Sequence, residues 1–194
     1  MTAPARTRDS AASRAALLAA ASALFSSGGY EATTVRDIGE RAGVDPALIA
    51  RYFGNKLNLY LATLEAEASE PGRVDLATDL RGYVAWLLER TDRRGPGPLM
   101  QALVRSDTAP EIRAVAQAHL TRRLVDPLVS LLEARGVPSA SARVRAEAAV
   151  AALIGVVVVR GTGSFASLPG ADTEEVAGVL TRLLESVLDA PPAA

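Results

Sequence analysis

F-S-S-G-G-Y-E-A-T-T-V-R-D-I-G-E-R-A-G-V-D-P-A-L-I-A-R-Y-F-G-N-K-L-N-L, Phe25 to Leu59, packs a succession of helix stops and starts into one short stretch. Gly28 and Gly29 end a first helix whose apolar stripe, Leu17, Ala20, Ala21, Leu24 and Phe25, keeps the i, i+3, i+4, i+7, i+8 spacing of one buried face. Thr34 and Asp37 have the form of a capping box, in which a hydroxyl accepts from a first-turn amide and an acid stands three residues later. Val35, Ile38 and Ala42 carry this second helix until Gly43 stops it. Asp45 offers a carboxylate cap with Pro46 at the first helical position, where a missing N–H costs nothing, and a third helix takes in Ala47 to Phe53. Gly54 breaks it, and Asn55 caps a fourth helix from Lys56. Two short helices joined by a Gly-containing turn make a helix-turn-helix, whose second helix can enter the DNA major groove while the first crosses the backbone. Helical hairpins that never meet DNA share this outline, so spacing by itself leaves both readings open.

Working outward, the 194 residues are 49% hydrophobic, 22% charged and 4% aromatic, enough for a real core in one or two small domains. The formal net charge of −1 gives no global basic field, so nucleic-acid binding has to be local. Residues 1–60 hold seven basic and five acidic side chains and residues 61–194 hold 14 and 17, an asymmetry of the right sign but small. The absence of cysteine excludes disulfides, thiolate metal sites and a thiol nucleophile, and one histidine, His119, is too few for most zinc sites. Gly161-Thr162-Gly163-Ser164 lacks the lysine of a phosphate-binding loop, and no acid and base stand at meaningful spacing. We therefore expect no enzyme, no cofactor and no metal. The longest apolar run, Ala148 to Val159, ends at Arg160, short of the roughly 20 residues a bilayer requires, and no signal peptide is recognisable. A cytoplasmic protein without a membrane partner is the expectation.

Five further helices are expected over Leu76 to Arg90, Pro98 to Arg105, Pro110 to Ala134, Ala140 to about Gly161, and Thr173 to Asp189. The fold class is all-α with about nine helices. A helix-turn-helix domain is assigned to residues 1–56, a larger helical domain to 57–190, and a fraying tail to 191–194, while Glu70, Pro71 and Gly72 mark the clearest break in composition.

The quoted run resembles the DNA-binding domain of TetR (tetracycline repressor) family regulators, which are bacterial. The resemblance rests on Phe25, Gly29-Tyr30, Thr34, Ile38, Ala42-Gly43-Val44, Tyr52-Phe53 and Lys56, in order and in spacing. It covers roughly the first 60 residues and is looser beyond. It implies that Thr34, Tyr52 and Lys56 contact phosphates, which fix register rather than sequence. Arg36 matches a base-reading position whose fork suits guanine O6 and N7, and Pro46, Ala47, Leu48, Ala50 and Arg51 are the outward candidates of the third helix. Val44, Ile49 and Phe53 are expected to face inward. Position 50 is Ala where the family often has an aromatic, position 48 is Leu where a hydroxyl is frequent, and Gly39 replaces a usual alanine, leaving room for helix one. These departures bear on which operator is read. Arg6, Arg8 and Arg14 offer an N-terminal phosphate-contacting arm, with Arg6 and Arg8 in a short disordered tail.

The same resemblance implies a homodimer on an inverted-repeat operator, paired through the last two helices by Leu153, Val157, Val176, Leu180, Leu183, Leu184 and Val187. It also implies a small, largely apolar effector whose binding releases the DNA. The candidate pocket gathers Tyr83, Trp86, Leu87, Met100, Leu103, Val104, His119 and Phe165, although ordinary core packing is the plainer use of each. A non-catalytic helical scaffold is the alternative function.

Overall fold

The computed structural model describes residues 5–70 and 74–189, with side chains from Ser10 onward. The expected fraying tail, 191–194, lies outside the described residues. The helices are α1 (Ala5–Ala32), α2 (Val35–Ala42), α3 (Ala47–Phe53), α4 (Lys56–Ala68), α5 (Leu80–Arg94), α6 (Pro98–Val104), α7 (Pro110–Leu120), α8 (Asp126–Ala134), α9 (Ser139–Thr162) and α10 (Thr173–Asp189). A π-helical turn, Thr121–Val125, joins α7 to α8 without a break, so the expected rod from Pro110 to Ala134 is present with one widened turn. The described residues contain no strand.

Several boundaries differ from expectation, among them the end of the fifth helix, which runs to Arg94 instead of Arg90. Gly29 adopts φ 79°, a conformation glycine enters freely, but the chain resumes helix for one more turn to Ala32 instead of stopping. The fifth helix starts at Leu80, not Leu76, because Asp75 closes a turn over Ala77 and Asp79 then caps the helix by accepting from Gly82 N at 2.8 Å. At the N-terminus α1 begins at Ala5, so the backbone at Arg6 and Arg8 is helical rather than a disordered tail.

The chain forms two compact units, one of Met1–Ser69 with Gly97–Ala116 and one of Glu70–Pro96 with Gln117–Ala194. This differs from the division at 56/57. Leu59, Tyr60 and Leu64 of α4 are buried in one cluster with Leu17, Phe25, Ile38, Ile49 and Phe53, and Ala102 of α6 and Ile112 of α7 join it. A helix contributing three of its core side chains to that cluster cannot be split from it. In the second unit Val84, Leu88, Leu128, Leu132, Val150, Leu153, Leu180 and Leu184 form the core among α5, α8, α9 and α10.

Candidate nucleic-acid interface

The local chemistry of α2 to α4 follows the boundary signals closely. Thr34 Oγ1 accepts from Asp37 N at 3.1 Å while Thr34 N donates to Asp37 Oδ2 at 2.9 Å, closing both arms of the capping box. The Thr34 hydroxyl also donates to that carboxylate at 2.7 Å, and hydrogen bonds from Thr34 hold the Asp37 carboxyl below the usual carboxylate range. Arg36 is exposed, and its Nε donates to Glu40 Oε1 at 2.8 Å. That bond engages the inner nitrogen, whereas the outer Nη edge has the fork that matches guanine.

Asp45 Oδ1 accepts from Ala47 N at 2.8 Å, so the carboxylate covers the start of α3 as expected. Pro46 is half-buried, and a Cβ placed on Gly39 would come within 2.5 Å of its Cγ and 3.0 Å of its Cα. Gly39 therefore makes room for Pro46, not for helix one, and Pro46 packs in the turn instead of pointing outward. Within α3, Ile49 and Phe53 are buried and Ala47, Ala50 and Arg51 are exposed. Leu48 departs from the outward set: it is half-buried and, like Val44 and Tyr52, lies against the core. Leu48 stands one turn before Tyr52, on the same half-buried stripe at the border of the Ile49 and Phe53 face.

At the start of α4, Asn55 Oδ1 accepts from Asn58 N at 2.8 Å. Lys56 is half-buried with its ammonium over the Tyr30 ring, and burial draws its pKa down against the opposing charge of Glu31. Arg14 reaches back over Phe53, its guanidinium carbon 4.9 Å from the ring centroid. Thr34, Arg36, Ala47, Ala50 and Arg51 thus stand in solvent, with Tyr52 and Lys56 partly covered.

The expected effector residues divide. Met100, Leu103 and Val104 belong to the first unit, where Leu103 packs against the core and Val104 is exposed. In the second unit Tyr83, Leu87 and His119 are buried and the Trp86 ring lies 5.7 Å from that of Tyr83, but Phe165 is 63% exposed on a turn. A cavity of about 420 Å³ is walled by Trp86 together with Glu70, Arg90, Arg93 and Arg94, a more charged lining than expected. Composition located uncommon side chains without saying which unit each would join.

The dimer set needs a similar correction. Leu153, Val157, Val176, Leu180 and Leu184 are buried within their own unit; Val187 is half-buried. The apolar side chains that α10 turns outward are Val179 and Leu183, 55% and 49% exposed, and with Val156 and Leu168 they flank an apolar groove of about 300 Å³. Helical spacing identifies stripes but not which of two neighbouring stripes has a partner.

One organising residue went unread. Arg160, 7% exposed at its side chain, pairs through Nε and Nη2 with both carboxylate oxygens of Asp92 at 3.0 Å. It also donates to the carbonyls of Leu168 and Ala171 at 3.0 and 2.9 Å and to Thr173 Oγ1 at 3.2 Å. Its position three residues after Val157, on the buried stripe, was the available signal.

A family description, "Bacterial regulatory proteins, tetR family", matches residues 17–63, and "Tetracyclin repressor-like, C-terminal domain" matches residues 81–188. The HTH-type transcriptional repressor KstR of Mycobacterium tuberculosis is 28% identical over 137 residues, which is 65% of this chain and 60% of that repressor. The chain covers 60% to 65% of the length of the KstR repressors of the two mycobacteria it matches. A TetR transcriptional regulator from Chloroflexus aurantiacus shares the fold at TM-score 0.66 and 22% identity, covering 91% of this chain and 96% of that one. A TetR-like regulator from Rhodococcus sp. RHA1 does so at 0.61 and 21%, covering 98% and 100%.

Proposed function

The chain belongs to the TetR family of bacterial regulatory proteins, and from that premise we propose that it is a transcriptional repressor that binds an inverted-repeat operator as a homodimer. The observation that carries the reading is the helix-turn-helix itself: Ile38, Ile49 and Phe53 are hidden while Arg36, Ala47, Ala50 and Arg51 are left to solvent. Thr34, Tyr52 and Lys56 hold phosphates, Arg36 reads guanine, Ala47 and Ala50 meet thymine methyls, and Arg51 supplies the remaining donor of α3. The outward Val179 and Leu183 supply a self-complementary apolar face for the dimer, which sets the two recognition helices about one DNA turn apart. A small effector with a largely apolar body, bound in the second unit near Tyr83, Trp86 and Leu87, favours a dimer whose recognition helices are mis-spaced and so lowers operator affinity.

Selection from randomised duplex DNA tests the reading. The expected result is enrichment of one inverted repeat whose binding weakens steeply with salt. A chain that enriches no sequence is a helical scaffold instead. Joint Val179→Glu and Leu183→Glu substitution is expected to leave a folded monomer in sedimentation that no longer holds the full operator; a dimer of unchanged strength would move the interface elsewhere.

A further inference from the structure

Lys56 is the only lysine in the chain, and its ammonium does not hang free in solvent. Nζ stands 4.0 Å from the centroid of the Tyr30 ring. That ring is itself held by two others, stacked on Phe25 at 5.7 Å and in a T-shaped contact with Tyr60 at 5.4 Å. Tyr60 is fully buried and its hydroxyl donates to the Pro98 carbonyl at 3.3 Å, so the platform beneath the lysine is part of the first unit's core. A lysine stem in water samples many rotamers, whereas an ammonium resting on a fixed π-face is confined to few. The ring occupies one side of the ammonium, and N–H groups on the other side remain to donate.

We propose that Tyr30 is a positioning residue for DNA binding: its ring face holds the Lys56 ammonium at the start of α4, where it meets a backbone phosphate. The proposal rests on the reading of Lys56 as a phosphate contact. Pre-placement spares the complex part of the rotamer freedom that a free lysine would lose on binding. Tyr30 stands near the end of α1, so helix one takes part in DNA recognition through a ring that acts on Lys56.

The single lysine makes the idea directly measurable. Reductive methylation with ¹³C-formaldehyde labels Lys56 and the terminal amine only, and the added methyl groups leave the charge in place. In the folded chain the Lys56 methyl resonance is expected upfield of free dimethyl-lysine, unchanged in Tyr30→Phe and returned to the free value in Tyr30→Leu. On the selected operator, Tyr30→Leu is expected to weaken binding roughly two- to fivefold per protomer. Tyr30→Phe should match the parent, and Tyr30→Leu should add nothing to Lys56→Met. Circular dichroism melting verifies that each variant is folded. An unshifted methyl resonance in the folded parent, or a Tyr30→Leu effect as large in the Lys56→Met background as in the parent, makes Tyr30 a core residue only and overturns the proposal. A shifted resonance in a chain that selects no DNA overturns the reading of the site, and the proposal with it.

Discussion

In the first unit α2 to α4 are short helices whose boundaries are signed by their own side chains, whereas in the second unit α5, α9 and α10 are longer helices tied at one end by a single buried arginine. In the first, the Thr34 box, the Asp45 carboxylate and Asn55 each satisfy backbone amides within three residues. In the second, Arg160 reaches from α9 to Asp92 on α5, to the carbonyls of Leu168 and Ala171, and to Thr173 at the head of α10. Local devices leave the outer face of a small unit open for chemistry. A long-range tie lets long apolar helices form but gives no local sign of itself.

If the contrast is sound, the heaviest damage comes from cutting that tie. Arg160→Met takes from Asp92 its charged partner, leaving it only the Thr173 hydroxyl, strips the Leu168 and Ala171 carbonyls of a donor, and is expected to destabilise the second unit by about 2 kcal/mol in urea unfolding. A loss under about 0.5 kcal/mol would mean water replaces it without cost. The tie also has a pH signature. Hydrogen bonding from Arg160, and secondarily from Thr173, holds the Asp92 carboxyl below the usual carboxylate range. Its contribution is therefore complete above the ordinary carboxylate value and is lost as pH falls through the depressed one. Melting temperature against pH should show this acid decline in the parent and a shallower one in Asp92→Asn; equal declines would assign it to other carboxylates.

Asn55→Ala removes one local cap and is expected to cost about 1 kcal/mol, read by urea denaturation of the first unit. Operator binding should weaken as well, because Lys56 follows directly; intact binding would separate the cap from the contact. Smallest of all is Glu40→Ala, which breaks an exposed i, i+4 pair and is expected to change stability by less than about 0.5 kcal/mol. The selected operator should nonetheless lose preference at the guanine read by Arg36, and an unchanged motif would show that Glu40 does not orient it.

This contrast also explains what was legible in the sequence. The caps at Thr34, Asp45 and Asn55 were readable because each acts on amides two or three residues away, and the structure has all three in place. Leu17, Ile38, Ile49 and Phe53 were readable as core because periodicity marks a buried face. The roles of Pro46 and Leu48 were not, since both depend on how α3 seats on its neighbours. On α10 the expected dimer set took in the outward Leu183 but left out Val179 and added the buried Leu180 and Leu184, because all four are equally apolar and only tertiary packing tells them apart. Arg160 was hidden because its partners lie up to 68 residues away.

The central claim is that α2 to α4 read an operator, and one fluorescence-anisotropy titration addresses it most directly. The chain is titrated onto duplex DNA from immediately upstream of its own reading frame, or onto the selected repeat, at several salt concentrations with scrambled DNA as competitor. An Arg36→Ala/Tyr52→Phe/Lys56→Ala variant runs beside it. Selective binding of nanomolar order that falls with salt and is lost in the folded variant is the expected result. Equal affinity of parent and variant for the selected repeat would contradict the account.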